Sequence, residues 1–384
     1  MNKITADSNV MLSRYEDAVS ATDRFFDADI TPVLLGLFGE VGSVMSASKK
    51  LHREKSAYTG YQRNVEEELG DTLWYITALC RRLSINLSDI FSEVLSGDGF
   101  SVCIAANSDP MHPVAKVVTT ENIVSLDSVL LRLGGQAARL MEIDVKDVST
   151  RQCLLDFVKV YIEAVQASGV SFSAVVKGNM NKACGRFMAP STSDLTDFDI
   201  DFPLEEQLPR YFEIQISSRA DGRSYLRWNG VFIGDPLSDN IADRDGYRFH
   251  DVFHLANAAI LHWSPTFRAL IKHKRKSKPA VDEAQDSGRA IVIDEGLSAY
   301  IFSCAKELDF FEGQKSVSFD LLKAVSNFVR GYEVEACPLY LWECSILQGY
   351  EVFRQLRKNN GGVIIGDRSQ RTLQYRNLSE QVFL

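Results

Sequence analysis

At 384 residues, 45% hydrophobic and 24% charged, the chain is too long for one ordinary core and too apolar to stay disordered, so two or three globular domains are expected. Its net charge of −9 argues against a general nucleic-acid binder, whose affinity rests on broad basic surface. No apolar run approaches the ~18 to 20 residues a spanning helix needs, and the start MNKITADSNV lacks the apolar stretch of a signal peptide, so no membrane partner and a cytoplasmic location are expected. Seven cysteines, odd in number and never in a CxxC pair, speak against a disulfide framework or a zinc ribbon and read as buried thiols.

From Thr31 to Leu95 apolar residues recur at helical spacing, interrupted by the polar stretch His52 to Arg63 and the turn Ser84-Ile85-Asn86. Thr31 is placed to cap a helix with Pro32 in its first position, and Asn86 with Ser88 marks a further start. Ser96 to Thr120, rich in Gly, Ser, Pro and Asn, is expected to be a connecting loop. Beyond it, Leu130 to Met141 aligns without gaps on Leu34 to Met45, and Asp156 followed by Gly169-Val170-Ser171 repeats Asp71 followed by Ser84-Ile85-Asn86. The same order in two places points to an internal, degenerate duplication; two amphipathic helices alike by chance are the alternative.

Residues 189–209, containing Ala189-Pro190-Ser191-Thr192-Ser193-Asp194 and an acidic run, are expected to be a linker. That divides the chain into a domain at 1–188, with halves at about 9–98 and 120–187, and a second domain at 210–384. In the second, Tyr211 to Ser217 and Ser224 to Ile233 alternate apolar and polar residues around Ala220-Asp221-Gly222, a hairpin signal. Helical periodicity returns from Arg248, through Trp263, Asp294 to Leu308 and Leu321 to Arg357. The expected fold is mainly α: a helical bundle with an internal duplication, then a mostly helical domain with a small β hairpin.

Chemistry concentrates at Glu40, Glu68 and Asp71. Glu68 and Asp71, three apart, share one face of a helix, and Glu40 on a neighbouring helix would add a third carboxylate. Such a cluster is costly unless a cation neutralises it. Oxygen ligands without His or Cys favour Mg²⁺ or Mn²⁺, with substrate phosphates completing the coordination.

Gly39-Glu40-Val41-Gly42-Ser43, the following Lys49-Lys50, and Glu67-Glu68-Leu69-Gly70-Asp71-Thr72-Leu73-Trp74-Tyr75 resemble the MazG-like all-α nucleoside triphosphate pyrophosphatases, whose pattern is ExxE, a gap, then ExxD. The likeness covers about 65 residues, and Glu-Leu-Gly-Asp-x-Leu-Trp is its most specific piece. It implies that Glu40, Glu68 and Asp71 bind Mg²⁺ and direct a water at the α-phosphate, releasing pyrophosphate and a monophosphate, with Lys50 near the substrate. Ser43 departs from the pattern by standing where the second Glu belongs, and Glu66 and Glu67 are the acids at hand to substitute. Trp74 could stack on a nucleobase or fill the core. In the second half only Asp156 survives of the four acids, yet Asn179-Met180-Asn181-Lys182 with Arg186 resembles the closing helix of the family. That implies Asn179, Lys182 and Arg186 at the triphosphate; the plain alternative is that Lys182 and Arg186 favour a helix C-terminus.

In the second domain His250 and His254 stand four apart on one helical face, with Asp251 beside them and Glu295 available from another helix. That spacing can hold a second divalent metal, although the absence of HExxH disfavours metalloprotease chemistry. Histidines satisfied by Asp251 and backbone are the alternative. His262, His273, Asp282-Glu283 and the basic run Lys272 to Lys278 lie close in sequence, the run being either a solvated loop or a phosphate clamp. The stretch His250 to Ile301 also resembles a C-terminal domain that accompanies some bacterial MazG-like proteins. These readings lead to a homo-oligomeric, Mg²⁺-dependent pyrophosphohydrolase of a nucleoside triphosphate, a deoxynucleotide in the first instance, serving nucleotide-pool control or bacterial defence. The rival is a degenerate nucleotide sensor whose second domain is the effector or a metal-dependent hydrolase; Ser43 favours it, while Glu68 and Asp71 favour the enzyme.

Overall fold

The computed structural model describes residues 2–25, 29–96, 100–104, 115–119, 125–143, 147, 149–191 and 195–378, with side chains from Leu12 onward outside the 100–104 and 115–119 strands. The chain forms two compact units, Met1–Met188 and Ala189–Leu384.

The first unit consists of α1 (Asn2–Thr22), α2 (Thr31–Glu54), α3 (Tyr61–Arg82), α4 (Leu87–Ser96), strands β1 (Phe100–Ile104) and β2 (Ala115–Thr119), α5 (Leu126–Leu140), α6 (Ser149–Ala167) and α7 (Phe172–Phe187). Apolar stripes build the core: Val33, Leu37, Val41 and Val44 on α2, Leu69, Leu73 and Ile76 on α3, and Val129, Leu133, Ala137 and Leu140 on α5. Through them α2 packs on α3 and α5, α5 on α6, and α3 on α7. Thr31 does not cap α2. Its N–H donates to Asp29 Oδ1 at 2.9 Å, so the capping carboxylate comes from two residues earlier and Thr31 is itself helical. The start of α4 is likewise satisfied from outside its own segment, the Leu87 N–H donating to Glu16 Oε1 at 2.5 Å. Asp23, after α1, accepts from Arg81 at 2.8 Å and Arg82 at 2.5 Å, tying that end to α3. The expected loop from Ser96 to Thr120 contains an antiparallel pair, Phe100 opposite Thr119 through Ile104 opposite Ala115.

The second unit consists of β3 (Tyr211–Ser218), β4 (Ser224–Trp228), β5 (Val231–Leu237), α8 (Asp251–Ala256), α9 (Pro265–Ile271), α10 (Pro279–Val281), α11 (Gly288–Lys306), α12 (Phe319–Phe328), α13 (Leu339–Asn359), β6 (Gly361–Asp367) and β7 (Thr372–Arg376). Helix α8 runs into a π-helical turn, Asn257–Leu261. The expected hairpin is larger than read: β3 and β4 belong to a five-stranded antiparallel sheet ordered β5-β4-β3-β6-β7, closed by strands from the far end of the chain. Phe253, Phe302, Phe353, Tyr350, Trp263 and Trp342 fill the core beneath it, and α13 lies against β6 and β7.

Part of the expected linker is structural. Leu208 is buried, and buried Asp199 accepts the Leu208 N–H at 2.8 Å while pairing with Arg268. Within the basic run, Arg275 is neither solvated nor open to a phosphate: it is buried and pairs with Asp286 and Glu333, each at 2.6 Å. Lys272, Lys276 and Lys278 are exposed. No helix among the described residues is long and apolar enough to cross a membrane.

Candidate active site

Helix α2 carries Glu40, α3 carries Glu68 and Asp71, and the packing of these helices brings one carboxylate oxygen of each within 4.8 Å of the others. Two glycines permit the approach. A Cβ at Gly36 would fall 2.1 Å from the Tyr75 ring, so only glycine lets that ring lie over α2. A Cβ at Gly70, between the two acids of α3, would come 2.8 Å from Asn179 Cβ and 3.3 Å from the Val175 carbonyl, so Gly70 sets how close α7 can lie.

That crossing places a chain of hydrogen-bond donors on the cluster. Buried Tyr15 donates to Asn179 Oδ1 at 2.6 Å, and Asn179 Nδ2 donates to Asp71 Oδ1 at 2.7 Å. Lys182 donates to Asp71 Oδ2 at 2.6 Å and to Glu67 Oε1 at 2.9 Å. Although burial works against its charge, the Asp71 and Glu67 carboxylates hold the Lys182 ammonium above its usual range. Asn179 and Lys182 therefore reach the acidic cluster, one helical turn apart on α7, and Lys182 is more than a helix-terminus charge. Tyr15 escaped the sequence reading; the apolar spacing of Leu12, Tyr15 and Val19 marks a helical face, but nothing in it points to a bond with residue 179.

Crowding of like charges leaves its mark on Glu40. Burial, the charge of Asp71, and the hydrogen bond and charge of Glu68 push its carboxyl up to about 8, with Lys182 opposing them. A metal-free cluster thus keeps a proton on Glu40, and a divalent cation would replace it.

Other expected contributors make contacts of their own. Lys50 is exposed, ten residues beyond Glu40 on the same helix, a rise of about 15 Å, and stays apart from the carboxylates. Glu67 does not join the cluster, because Lys182 draws its carboxylate to itself. Arg186 is buried, its guanidinium 5.1 Å from the Phe187 ring centroid. Trp74 is half-buried, donates to Thr22 Oγ1 at 3.2 Å and packs edge-on against Phe25 and Tyr75. In the second half, Asp156 accepts from Gln152 at 2.8 Å, and no group of three acids forms around it among the described residues.

The second unit gathers His250, His254 and Glu295 within the same 4.8 Å limit. Glu295 Oε2 stands 3.5 Å from His250 Nε2 and 3.4 Å from His254 Nε2, and Asp251 Oδ1 stands 3.9 Å from His250 Nε2. Burial pushes the Asp251 carboxyl upward. Despite its burial, His254 is held well above the usual imidazole range by Asp294 and Glu295. The neighbouring histidines are engaged elsewhere: His262 Nε2 meets the Arg368 carbonyl at 2.9 Å, and His273 Nδ1 meets the Gln207 carbonyl at 2.7 Å.

Residues 193–379 match the family model of the MazG C-terminal domain, which supports a MazG-related protein. The Gene 37 protein of Mycobacterium phage L5 is 33% identical over 66 residues, a match covering 17% of this chain and 58% of that protein, so the chain spans less than two thirds of its relative. No solved structure matches the chain.

Proposed function

We propose that this MazG-related chain hydrolyses a nucleoside triphosphate to the monophosphate and pyrophosphate in its first unit, using Mg²⁺ held by Glu40, Glu68 and Asp71. The reading rests on one observation: the three carboxylates, from two helices, converge within 4.8 Å. The donor set fits the ion, being all oxygen and anionic, with room for waters and phosphate oxygens on a cation that dehydrates reluctantly. When bound, Mg²⁺ supplies a Lewis acid that polarises phosphoryl oxygens and acidifies a water. The chain's own part is to hold those three oxygens in place. Asn179, itself held by Tyr15, fixes the Asp71 carboxylate, and Gly70 keeps α7 close enough to do so. Ser43 contributes no charge, so the protein offers a trianionic site at most when Glu40 is ionised. We read α5 to α7 as a degenerate copy of α2 to α4 that keeps the positioning groups of its last helix and has lost its acids; the gapless alignment of Leu130 to Met141 on Leu34 to Met45 supports this.

Pyrophosphate release from a panel of ribo- and deoxyribonucleoside triphosphates, with Mg²⁺ or Mn²⁺, tests the proposal. Glu68→Gln and Asp71→Asn are expected each to lower turnover by about a hundredfold or more, since charge stabilisation at the reacting phosphate is lost. Wild-type protein that binds a triphosphate yet releases no pyrophosphate with either metal would leave the sensor reading, which Ser43 favours, in its place.

A further inference from the structure

We propose that the second unit carries a transition-metal centre of its own, in which His250 Nε2, His254 Nε2 and Glu295 Oε2 bind a borderline divalent cation, Zn²⁺ in the first instance. Distances separate this from a plain ion-pair cluster. Charge-assisted N–H···O bonds run about 2.7 to 2.9 Å, whereas both imidazole Nε2 atoms stand at 3.5 and 3.4 Å from the same Glu295 oxygen. Those are the separations of ligands sharing a tetrahedral metal, since bonds of about 2.0 to 2.1 Å put neighbouring ligand atoms about 3.3 Å apart.

Orientation agrees. His254 is fully buried, and its ring nitrogens face carboxylates, Asp294 at Nδ1 and Glu295 at Nε2, without a well-directed hydrogen bond to either. The outer nitrogens face groups that turn the inner ones toward Glu295: His250 Nδ1 is 2.9 Å from the Tyr247 carbonyl, and His254 Nδ1 is 3.0 Å from Asp294 Oδ1. Asp294 is itself fixed, accepting from Ser264 at 2.7 Å, from the Thr266 N–H at 3.2 Å and from Asn257 at 3.2 Å. A buried carboxylate behind a ligating imidazole is the arrangement that orients metal-bound histidines. The Tyr247 ring stacks on His250 with centroids 4.4 Å apart, holding its plane. Two imidazoles and one carboxylate make a mixed N/O set that suits Zn²⁺ and its first-row neighbours over Mg²⁺. The Glu295 side chain is 40% exposed, so the cluster is buried on its histidine side and reached by solvent at its carboxylate.

The test uses the full chain, stripped of metal with a chelator and titrated with Zn²⁺ in the presence of excess Mg²⁺, which occupies the hard-oxygen cluster of the first unit. One tightly bound equivalent is expected, and Co²⁺ in its place should give the visible absorption of a tetrahedral N/O site. Glu295→Ala and His250→Ala should each weaken Zn²⁺ at least about a hundredfold, while Glu68→Gln leaves Zn²⁺ binding unchanged. Glu295→Ala is the decisive variant because its side chain is partly exposed and the fold tolerates its loss, as circular dichroism will verify, whereas the buried His254 is a poorer target. Zn²⁺ affinity and stoichiometry equal in wild type and in folded Glu295→Ala, or no tight equivalent in wild type, would overturn the centre and leave an ion-pair network. Neither result bears on pyrophosphate release, which reads the first unit alone.

Discussion

At Glu40 an unfolded carboxyl would titrate near 4.5, whereas the packed one titrates at about 8 because burial and two neighbouring carboxylates disfavour its charge. Between those values the folded chain binds more protons than the unfolded one. Its stability contribution is therefore complete below pH 4.5 and is lost progressively as the pH rises through about 8. In calorimetry of metal-free protein, the melting temperature of the first unit is expected to fall between pH 5 and pH 8. Mg²⁺ affinity should rise over the same interval, with close to one proton released per ion at the acid end; an affinity flat with pH would contradict the shared proton. The residues of this cluster were legible in the sequence because the spacing of Glu68 and Asp71 is helix geometry itself. Their partners were less so. Tyr15 and Lys182 approach Asp71 from helices 56 and 111 positions away in sequence, and only tertiary packing pairs them. For Lys182 the resemblance named the residue and a triphosphate partner; the two carboxylates it pairs with, Asp71 and Glu67, come from tertiary packing.

Gly70 decides the crossing of α3 and α7. Gly70→Ala places a methyl carbon against Asn179 Cβ and the Val175 backbone, and overpacking of that kind costs about 1 to 3 kcal/mol. Because the same shift pulls Asn179 from Asp71, turnover should drop at temperatures where the variant is still folded; thermal melts alongside kcat measurements separate the two effects, and unchanged kcat would mean the crossing does not position the site. Helices were the readable elements, since α2 and α3 carry their apolar stripes at regular spacing. Strands were harder. β1 and β2 are short β-branched runs set among Gly, Ser, Pro and Asn, whose turn signal dominates. Strand β6 begins directly after α13, at Gly361-Gly362, where a Cβ on Gly362 would meet the Tyr375 ring at 2.1 Å, so those glycines serve sheet packing that local composition presents as a break.

Each unit has its own core and its own cluster of side chains able to hold a metal: acids alone in Met1–Met188, imidazoles with a carboxylate in Ala189–Leu384. Metal effects on the full chain should divide accordingly. Mg²⁺ at a hundred times its dissociation constant stabilises the state that binds it by about 2.7 kcal/mol. In hydrogen exchange of the intact protein, the added protection is expected in residues 31–82 and 172–187 and not in 251–306; protection spread evenly over both units would contradict separate sites. The chain divides at the start of a stretch marked by Pro, Ser and acidic composition, but the packing of that stretch was not readable, since the burial of Asp199 depends on Arg268, which lies far along the chain.

The ammonium of Lys182 sits where an arriving cation would want to be, 2.6 Å from one of the oxygens it needs. On the proposed function, filling the site would be a swap rather than an addition: an incoming ion would displace a resident positive group, and the displaced lysine, tethered on α7, would be available to a polyanion arriving with the ion. Ion and triphosphate would then recruit one another, whereas the unfilled site already holds one counterion of the chain's own against Asp71.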